Sequence, residues 1–313
     1  MTHLFILNAF AGTKDSTSIL KPQIEALGLP DTVIEYTKCK DDATAIARRY
    51  AEKGDPLRVY ACGGDGTANE AMHGLLGFDN VALGVVPVGT GNDYVRSLKG
   101  TPEDFLDLKK MTEGSTVTVD LLKCNDRYAL NVISVGYDCE VADRAQKNKR
   151  LPMMSGSLAY KLAIVQCLVS KRKHTFTPYA DGRRIPVAEG FKTQMLAVAA
   201  KGMYYGGGIK ATPYAELDDG LIDFMAIPTV PISYFAWLMG SFTRGEHIDH
   251  PKAKRFILHE KCSELRLDNH GDIKVGIDGE MFVMKNPVIT VVPKAFKVIV
   301  PIPKIEQGKQ KHI

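Results

Sequence analysis

The sequence has little of what marks a disulfide-bonded, zinc-ribbon or membrane-spanning protein. Its six cysteines are scattered along 313 residues and none forms a Cys-x-x-Cys pair, so neither a zinc ribbon nor a disulfide framework is indicated. Reduced thiols of a cytoplasmic protein fit this usage best. The first residues lack a basic segment followed by a long apolar one, so no signal peptide is expected. The longest apolar stretch, Tyr234 to Phe242, is too short to span a membrane.

Charge of one sign is also scarce. The formal net charge is +4, which is too small to indicate a nucleic-acid partner but is compatible with anionic ligands or an anionic membrane surface. Hydrophobic residues make up 45% of the chain and charged residues 24%, as in an ordinary globular protein. Because 313 residues exceed what one core of usual size needs, two domains are expected.

A glycine-rich turn stands between an apolar run and a helical pattern. The run Leu57 to Ala61 leads into Cys62-Gly63-Gly64-Asp65-Gly66-Thr67-Ala68-Asn69-Glu70. In a strand–turn–helix unit, the unpaired amides of the helix's first turn attract phosphate. Asp65 would repel a phosphate unless a cation lay between them, so the turn predicts a site for a nucleotide carried with a divalent metal. Thr67 and Glu70 have the spacing of a capping box, with Thr67 as N-cap.

The same turn is compatible with a plain strand–helix connection that merely needs glycine. It is not a P-loop, since no Gly-Lys-Ser/Thr follows, and Asn69 stands where the dinucleotide fingerprint has its third glycine. Two similar turns follow the apolar strands Leu4 to Leu7 and Val81 to Val88. The repeated units favour a parallel sheet covered by helices. Ligands of such sheets bind at the carboxyl ends of the strands, so the three turns are expected at one edge.

The sequence pattern changes after about residue 115. Before it, the pattern predicts a strand at Val33 to Thr37 and helices at Ile19 to Leu27, Asp42 to Lys53 and Tyr94 to Leu98. After it, many short strands with turn signals favour an antiparallel sandwich or barrel. Those strands are Thr116–Cys124, Tyr128–Val135, Thr193–Ala200, Leu221–Ile227, Leu265–Leu267, Asp272–Ile277, Met281–Met284 and Val288–Val292, with helices at Leu158–Val169 and Ile232–Phe242.

Two motifs together resemble a known family. Gly63-Gly64-Asp65-Gly66-Thr67-x-Asn69-Glu70, followed by Pro87-x-Gly89-Thr90-Gly91-Asn92-Asp93, is similar to the catalytic domain of diacylglycerol and sphingosine kinases, and the length and layout resemble the soluble bacterial lipid kinases of that family. The first motif alone is shared with NAD kinases and phosphofructokinases. The resemblance implies a parallel-sheet α/β nucleotide domain over 1–124, to which 296–313 returns, an antiparallel β-sandwich domain over 125–295, and an active site in the cleft.

The resemblance also implies residues that bind ATP. Ala9 stands where the family usually has proline, so the first turn loses a preset φ. For Thr37, the alternative interpretation is an ordinary threonine at the end of a strand. The implied ATP-binding residues are Asn8, Gly12, Thr37, Gly64, Asp65, Gly66, Thr67, Asn69, Glu70, Thr90, Gly91 and Asn92.

Magnesium is implied at two places. Asp93 matches an acid that holds the catalytic magnesium through water. Pro213 to Leu221 resembles the family's magnesium loop, whose ligands align with Glu216, Asp219 and the carbonyl of Leu221; hard cations favour several oxygens on one tight loop. Without the resemblance, this segment is a solvated acidic turn before a strand.

The implied general base lies in Asp278-Gly279-Glu280. Asp-Gly is also a good hairpin turn, which is the structural alternative. An alcohol needs a base to attack a phosphate, and kinases commonly use an aspartate. Asp278 is expected to be the base with Glu280 in support, while Asp65 positions metal or phosphate.

The expected activity is transfer of the γ-phosphate of Mg·ATP to a lipid hydroxyl, first of all that of diacylglycerol, giving phosphatidic acid. Phosphatidylglycerol, a sphingoid base, an isoprenoid alcohol, a soluble acceptor such as NAD, and a binding protein without catalysis stay open. Basic clusters at 147–150, 171–174, 183–184 and 252–255, with the apolar segment Ile232 to Phe242, predict a cytoplasmic protein held peripherally at the inner face of the membrane. A homodimer stays open.

Overall fold

The computed structural model describes residues 1–12, 16–148, 156–170, 173–186, 191, 193–269 and 271–301. It divides into two compact units. Unit 1 comprises Met1–Val119 and Phe296–Ile313, and unit 2 comprises Asp120–Ala295.

Unit 1 alternates strands and helices. A short 3-10 helix also occurs, at Tyr94–Ser97. The strands and α-helices are β1 (Thr2–Leu7), α1 (Thr17–Ala26), β2 (Thr32–Tyr36), α2 (Asp42–Ala51), β3 (Leu57–Gly63), α3 (Asp65–Leu75), β4 (Val81–Pro87), α4 (Pro102–Leu106) and α5 (Leu108–Glu113).

Unit 2 is built mainly of strands. Its first strand, β5, begins in unit 1, and its last strand, β16, ends in unit 1. The elements are β5 (Ser115–Cys124), β6 (Arg127–Ala129), β7 (Val132–Gly136), α6 (Tyr137–Asn148), α7 (Gly156–Ser170), β8 (Thr177–Ala180), β9 (Arg183–Arg184), β10 (Gln194–Ala200), β11 (Ile222–Pro228), α8 (Ile232–Arg244), β12 (Leu258–Cys262), β13 (Glu264–Asp268), β14 (Ile273–Ile277), β15 (Glu280–Met284) and β16 (Val288–Val300).

The sheet of unit 1 is parallel, as predicted, and its strands lie in the order β2-β1-β3-β4. Val298 near the end of β16 pairs with Leu83 of β4, again in parallel. Every residue of β4 is buried, and so is every residue of β3 except Arg58. Such continuous apolar strands are typical of a parallel sheet that is covered on both faces. The sheet therefore presents the ends of its strands, rather than a face, to a ligand.

Unit 2 is an antiparallel sandwich, as predicted. One sheet has six strands in the order β12-β11-β10-β7-β14-β15. The other pairs β13 with β8 and with the start of β16, β8 with β9, and β5 with β6. Ala197 and Ala199 of β10 belong to the core between the sheets, whereas Val198 and Ala200 pack in a second core with α6, α7 and α8. The six-stranded sheet is thus covered on both faces.

The structure departs from the predicted elements at several places, and the short helices α4 and α5 are among the elements that were not predicted. The single strand predicted at Tyr128 to Val135 is two, β6 and β7, separated at residues 130–131. Helix α6 was not predicted, because charged residues interrupt its buried positions, which are Tyr137, Cys139, Val141, Ala145 and Asn148. Strands β8, β9 and β12 were missed too, since the outer strand β12 is mostly half-buried and lacks clean alternation.

Two further predictions concern membranes and charge. In the described part of the chain, no helix combines the length and the apolar character that crossing a membrane requires. The basic clusters at 183–184 and 252–255 are described, and their charged side chains are exposed. The clusters at 147–150 and 171–174 lie partly outside the described residues, as does most of 296–313.

Candidate functional site

The three glycine-bearing turns of unit 1 lie at one edge of its sheet. Leu7 at the end of β1 stands opposite Cys62 of β3, and Gly63 stands opposite Pro87 of β4. The turns that follow these strands, at 8–12, 63–67 and 88–93, are therefore neighbours at the carboxyl edge. This confirms the prediction that they share one edge, where ligands of such sheets bind.

Backbone contacts between the turns leave no room for side chains. A Cβ on Gly12, whose φ is +77°, would lie 2.5 Å from the carbonyl oxygen of Val88. A Cβ on Gly89 would lie 2.4 Å from the Cα of Gly64. The amides of Val88 and Gly89 both donate to the carbonyl of Gly63, at 3.0 and 3.1 Å. Glycine is thus required here because one turn packs directly on the next.

The capping box predicted at Thr67 and Glu70 is wrong. Helix α3 begins at Asp65, and its N-cap is Gly64, in extended conformation and without a side-chain cap bond. Thr67 lies inside the helix and is buried. Its Oγ1 instead accepts a hydrogen bond from Nδ2 of Asn8 at 2.9 Å. The hydroxyl therefore joins the second turn to the first.

Asp65 fastens the second turn to the third. Its carboxylate accepts the backbone N–H groups of Asp93 and Tyr94, at 3.1 and 3.0 Å. These amides begin the 3-10 helix at Tyr94–Ser97, where a carboxylate is favourable to unpaired N–H donors. A Cβ on Gly91 would lie 2.9 Å from the Asp65 carboxylate, so this glycine also serves a close contact. Asp65 thus has a clear positioning role in unit 1.

Asn92 and Asp93 shape the third turn. Asn92 is in the left-handed region with φ 55°, and its Nδ2 donates to the carbonyls of Pro87 and Gly89, at 3.0 and 2.8 Å. Asparagine tolerates that backbone and closes the turn on itself. The Asp93 side chain is buried, with Arg96 Nε 3.9 Å from its carboxylate.

The other implied ATP-binding residues fall into a buried and an exposed set. Thr37, directly after β2, is buried and its N–H donates to the carbonyl of Leu7. Asn69 is buried within α3, and the Glu70 side chain is half-buried. Gly66 and Thr90 are exposed at the edge. A ligand approaching this edge meets Gly66 and Thr90 first, with the buried residues as support.

The candidate residues of unit 2 also share a sheet edge. In the six-stranded sheet, Ala200 at the end of β10 pairs with Val132 at the start of β7. Ile277 at the end of β14 pairs with Ile133. The loop 201–221, the break at 130–131 and the turn at 278–279 therefore meet at this edge. Glu216, Asp219, Leu221, Asp278 and Glu280 all lie in or beside these segments.

Asp278 is held by three backbone amides. Its Oδ2 accepts the N–H of Leu130 at 2.7 Å, and its Oδ1 accepts those of Asn131 and Val132 at 3.1 and 2.8 Å. These bonds explain the break between β6 and β7, because the amides there bond to a side chain instead of a strand. They also stabilise the ionised carboxylate.

The Asp278-Gly279 pair forms a hairpin turn, as the structural alternative predicted. Both residues have positive φ, 44° and 89°, and Ile277 pairs with Glu280 across the turn. Asp-Gly favours this two-residue geometry. Glu280 is the first residue of β15 and its side chain is half-buried. The turn thus fixes the position of Glu280, which directly follows it in the chain.

Two lysines occupy the oxygens that the resemblance assigns to a loop-bound magnesium. The Nζ of Lys201 lies 2.6 Å from Oδ1 of Asp219, 2.7 Å from the Leu221 carbonyl oxygen and 2.8 Å from Oδ2 of Asp120. Lys201 and Asp120 are fully buried. The Nζ of Lys261 lies 2.8 Å from Oδ2 of Asp219 and 3.0 Å from Oε1 of Glu216.

The electrostatics of Asp219 follow from these contacts. Burial raises the pKa of its carboxyl, but hydrogen bonds from Lys201 and Lys261 outweigh burial and hold the pKa below the usual range. Within the described ranges, no group of three or more His, Cys, Asp or Glu side chains is arranged to hold a metal ion. Because two lysines occupy its oxygens, this loop does not fit a resident divalent cation.

Sequence reasoning missed three residues of unit 2. Asp120 interrupts an otherwise apolar part of β5, between Val119 and Leu121, and this was the available signal. Lys201 directly follows the buried strand β10. Asn131 donates through Nδ2 to the carbonyl of Tyr204 at 2.9 Å, and nothing in its sequence context marks it.

Models of known protein families match both parts of the chain. The model of the diacylglycerol kinase catalytic domain matches residues 2–124. The model of the YegS C-terminal NAD kinase beta sandwich-like domain matches residues 131–300. These ranges cover most of unit 1 and most of unit 2.

Curated relatives and a solved structure extend the match to nearly the full length. A diacylglycerol kinase of Bacillus subtilis is 29% identical over 279 residues, which cover 88% of each chain. One of Staphylococcus haemolyticus is 30% identical, with 80% of this chain and 76% of that protein covered. A crystal structure of a diacylglycerol kinase from Bacillus anthracis has the same fold, with a TM-score of 0.71 at 22% identity and 95% of this chain covered. The chain belongs to the diacylglycerol kinase catalytic-domain family and is a lipid kinase.

Proposed function

We propose that this lipid kinase transfers the γ-phosphate of Mg·ATP to the hydroxyl of diacylglycerol. The observation that carries the proposal is the set of three turns at the carboxyl edge of the unit 1 sheet, packed backbone to backbone at Gly12, Gly64 and Gly89. Backbone amides at such an edge suit phosphate, and electrostatic stabilisation supplies most of phosphoryl-transfer catalysis. The name of the relatives, diacylglycerol kinase, supports diacylglycerol as the acceptor.

In this proposal, magnesium arrives with the nucleotide as part of the substrate. Asp93 is the acid assigned to it. Asp65 positions the third turn, through the amides of Asp93 and Tyr94, rather than acting as a ligand. Asn8 and Thr67 hold the first two turns together through their hydrogen bond. Asp65, Asn8 and Thr67 therefore position the turns that hold ATP.

Glu280 is the better candidate for the base. Asp278 accepts three backbone N–H bonds, so most of its roughly four lone-pair sites are occupied and its ionised form is stabilised. A carboxylate so held is a poor proton acceptor. Glu280 takes the proton of the acceptor hydroxyl, the oxygen attacks the γ-phosphorus, and the bond to ADP breaks. Asp278 then positions the turn that carries Glu280.

The test is incubation of the purified protein with labelled Mg·ATP and single acceptors. Label in phosphatidic acid, with diacylglycerol as the acceptor, supports the proposal. Preferred labelling of phosphatidylglycerol or of a sphingoid base would replace diacylglycerol with that alcohol. Labelling of NAD alone would contradict a lipid acceptor. A total lipid extract as substrate, followed by identification of the labelled product, covers acceptors that are not tested singly.

We also propose a bilayer contact through α8 and the segment 250–256, because the acceptor lies in a membrane. Trp237 is 43% exposed. Its ring packs edge-on against that of His250, with the ring centroids 4.7 Å apart. The hydroxyl of Tyr234 donates to the carbonyl of Lys252. Lys252, Lys254 and Arg255 are exposed. An apolar aromatic face beside clustered basic residues is complementary to an anionic bilayer.

Trp237 is the single tryptophan of the chain, so its fluorescence reports this contact directly. Vesicles rich in anionic lipid are expected to shift the emission to shorter wavelength and to raise activity, whereas neutral vesicles do less. Replacing Lys252, Lys254 and Arg255 by Ala is expected to weaken the shift. Vesicle binding without any change in Trp237 emission would contradict this surface and favour α7, where Leu158, Val165 and Val169 are exposed.

A further inference from the structure

The ammonium group of Lys201 stands at the focus of an oxygen cluster. Its three contacts come from Asp219, the Leu221 carbonyl and Asp120, all between 2.6 and 2.8 Å. A lysine ammonium has three N–H donors and no acceptor, so three oxygens satisfy it completely. Because Lys201 and Asp120 are fully buried, the arrangement is an internal ion pair whose charges compensate each other.

The two carboxylates also accept hydrogen bonds from backbone amides. Oδ1 of Asp120 accepts the N–H of Lys294 at 2.8 Å, and its Oδ2 accepts the N–H of Gly220 at 2.7 Å. Oδ1 of Asp219 accepts the N–H of Leu221 at 3.1 Å. The N–H of Asp120 donates to the carbonyl of Leu217 at 2.7 Å. Loop 213–221 is thus fastened to β5 and β16 through this cluster.

A divalent cation cannot share these oxygens with the ammonium. Magnesium binds oxygen at about 2.0–2.1 Å and calcium at about 2.3–2.6 Å, so an ion bound to Asp219 and Leu221 would lie where Lys201 Nζ lies. The second lysine, Lys261, reaches the other oxygen of Asp219 and also Glu216. Each residue that the resemblance assigns to the loop metal therefore has a lysine on one of its oxygens, in a loop that hard cations otherwise favour.

We propose that the Lys201 ammonium replaces a divalent cation in loop 213–221, so that the chain holds this loop with a built-in charge and binds no metal there. The proposal does not depend on the acceptor lipid or on turnover, since it concerns the folded loop alone. It implies that Asp120, Asp219 and the Leu221 carbonyl form a cation site in which a side chain is the cation. Removing that side chain recreates a site for a free ion.

The experiment is thermal unfolding of the full chain after dialysis against EDTA, with and without millimolar Mg²⁺ or Mn²⁺ and with no nucleotide. For the wild type we expect a melting temperature that none of these additions changes. Lys201→Ala is expected to melt on the order of 10 °C lower, because two carboxylates lose their buried counter-charge. Millimolar divalent cation is expected to restore several degrees to this variant, since the ion binds the folded state only.

Matched variants identify the site. Lys261→Ala removes the other lysine on Asp219 but leaves the Lys201 oxygens occupied, so its melting temperature should stay insensitive to divalent cations. Lys201→Ala combined with Asp219→Asn should lose the recovery. A wild-type melting temperature that rises with Mg²⁺, and no longer does so in Asp219→Asn, would overturn the proposal. So would a folded Lys201→Ala that no divalent cation stabilises.

A direct measurement decides the matter if Lys201→Ala does not fold. Titration of the wild type with Mn²⁺, followed by the electron paramagnetic resonance signal of the unbound ion, counts bound metal without any variant. No binding at millimolar Mn²⁺ in the absence of nucleotide supports the proposal. One bound equivalent that is lost in Asp219→Asn overturns it.

Discussion

Asn8 donates a hydrogen bond to the Thr67 hydroxyl at 2.9 Å, and this bond joins the turns that follow two neighbouring strands of unit 1. Gly63 makes the contact possible, since a Cβ at that position would lie 2.2 Å from Thr67 Oγ1. One threonine hydroxyl in the first turn of α3 therefore helps to fix the relative position of the first two turns.

Thr67→Val removes that hydroxyl while conserving the volume and branching of the side chain. We expect the free energy of unfolding to fall by about 1 kcal/mol and the KM for ATP to rise roughly tenfold, because the turns that we propose hold the phosphates lose their mutual alignment. Steady-state kinetics and chemical denaturation measure the two effects. Thr44→Val is the matched control: the Thr44 hydroxyl donates to the Glu70 carbonyl at 2.8 Å, and its loss should lower stability without changing the KM.

Asp65→Asn tests the positioning role of the carboxylate. Asparagine offers one oxygen for two backbone donors, those of Asp93 and Tyr94, and its amide group opposes the other donor. We expect kcat to fall by at least about 100-fold as the third turn shifts, with the fold intact by circular dichroism. A correctly folded Asp65→Asn protein with normal turnover would show that this link does not matter for catalysis.

Glu280→Gln and Asp278→Asn separate the two acids of the hairpin. Glu280→Gln is expected to lower kcat by about 10²–10⁴ with little change in KM or melting temperature, as for loss of a general base. Asp278→Asn is expected to lower the free energy of unfolding by about 1–3 kcal/mol, because an amide group then faces a backbone N–H. The reverse pattern, a stable Asp278→Asn without activity beside an active Glu280→Gln, would assign the base to Asp278.

His247 is expected to make the free energy of unfolding depend on pH. It is fully buried beside Phe242, with ring centroids 4.6 Å apart. Burial lowers the pKa of His247 from 6.5 to about 4, against smaller opposing contributions from the backbone of Ala211 and Ser241. The unfolded chain takes up the proton near pH 6.5 and the folded chain only near pH 4. Stability is therefore complete above pH 6.5 and is lost as the pH falls toward 4.

The expected loss from His247 is about 3 kcal/mol, at about 1.4 kcal/mol per pKa unit. Urea denaturation at pH 7, 5.5 and 4 measures it. His247→Phe should flatten the slope between pH 6.5 and 4, whatever its effect at pH 7. An unchanged slope in that variant would mean that other groups cause the acid sensitivity.

Local patterns were sufficient for the general architecture. The buried strands at 57–63 and 81–87 are long apolar runs, and the turns after them carry glycines, so a parallel sheet with its turns at one edge could be predicted. The hairpin at Asp278-Gly279 could be predicted too, because its two-residue turn is a local matter. The break at residues 130–131 could not, since its cause is Asp278, far away in the chain.

The site was predicted less completely, for the same reason. The capping box at Thr67 had the right spacing, yet the hydroxyl bonds to Asn8 across the sheet edge. The acidic loop has the composition of a magnesium site, but a lysine at position 201 fills it. In both cases the actual partner is a side chain from a distant segment of the chain. A local sequence motif carries no information about such a partner.

The pairing of Val298 with Leu83 has a consequence for how the protein is made. Strand β4 is an inner strand of the unit 1 sheet only because the chain comes back to it with its last described strand. During translation, the nascent chain presents β4 as an open, wholly apolar edge while all of unit 2 is still being synthesised. Completion of the unit 1 sheet thus waits until unit 2 has been synthesised.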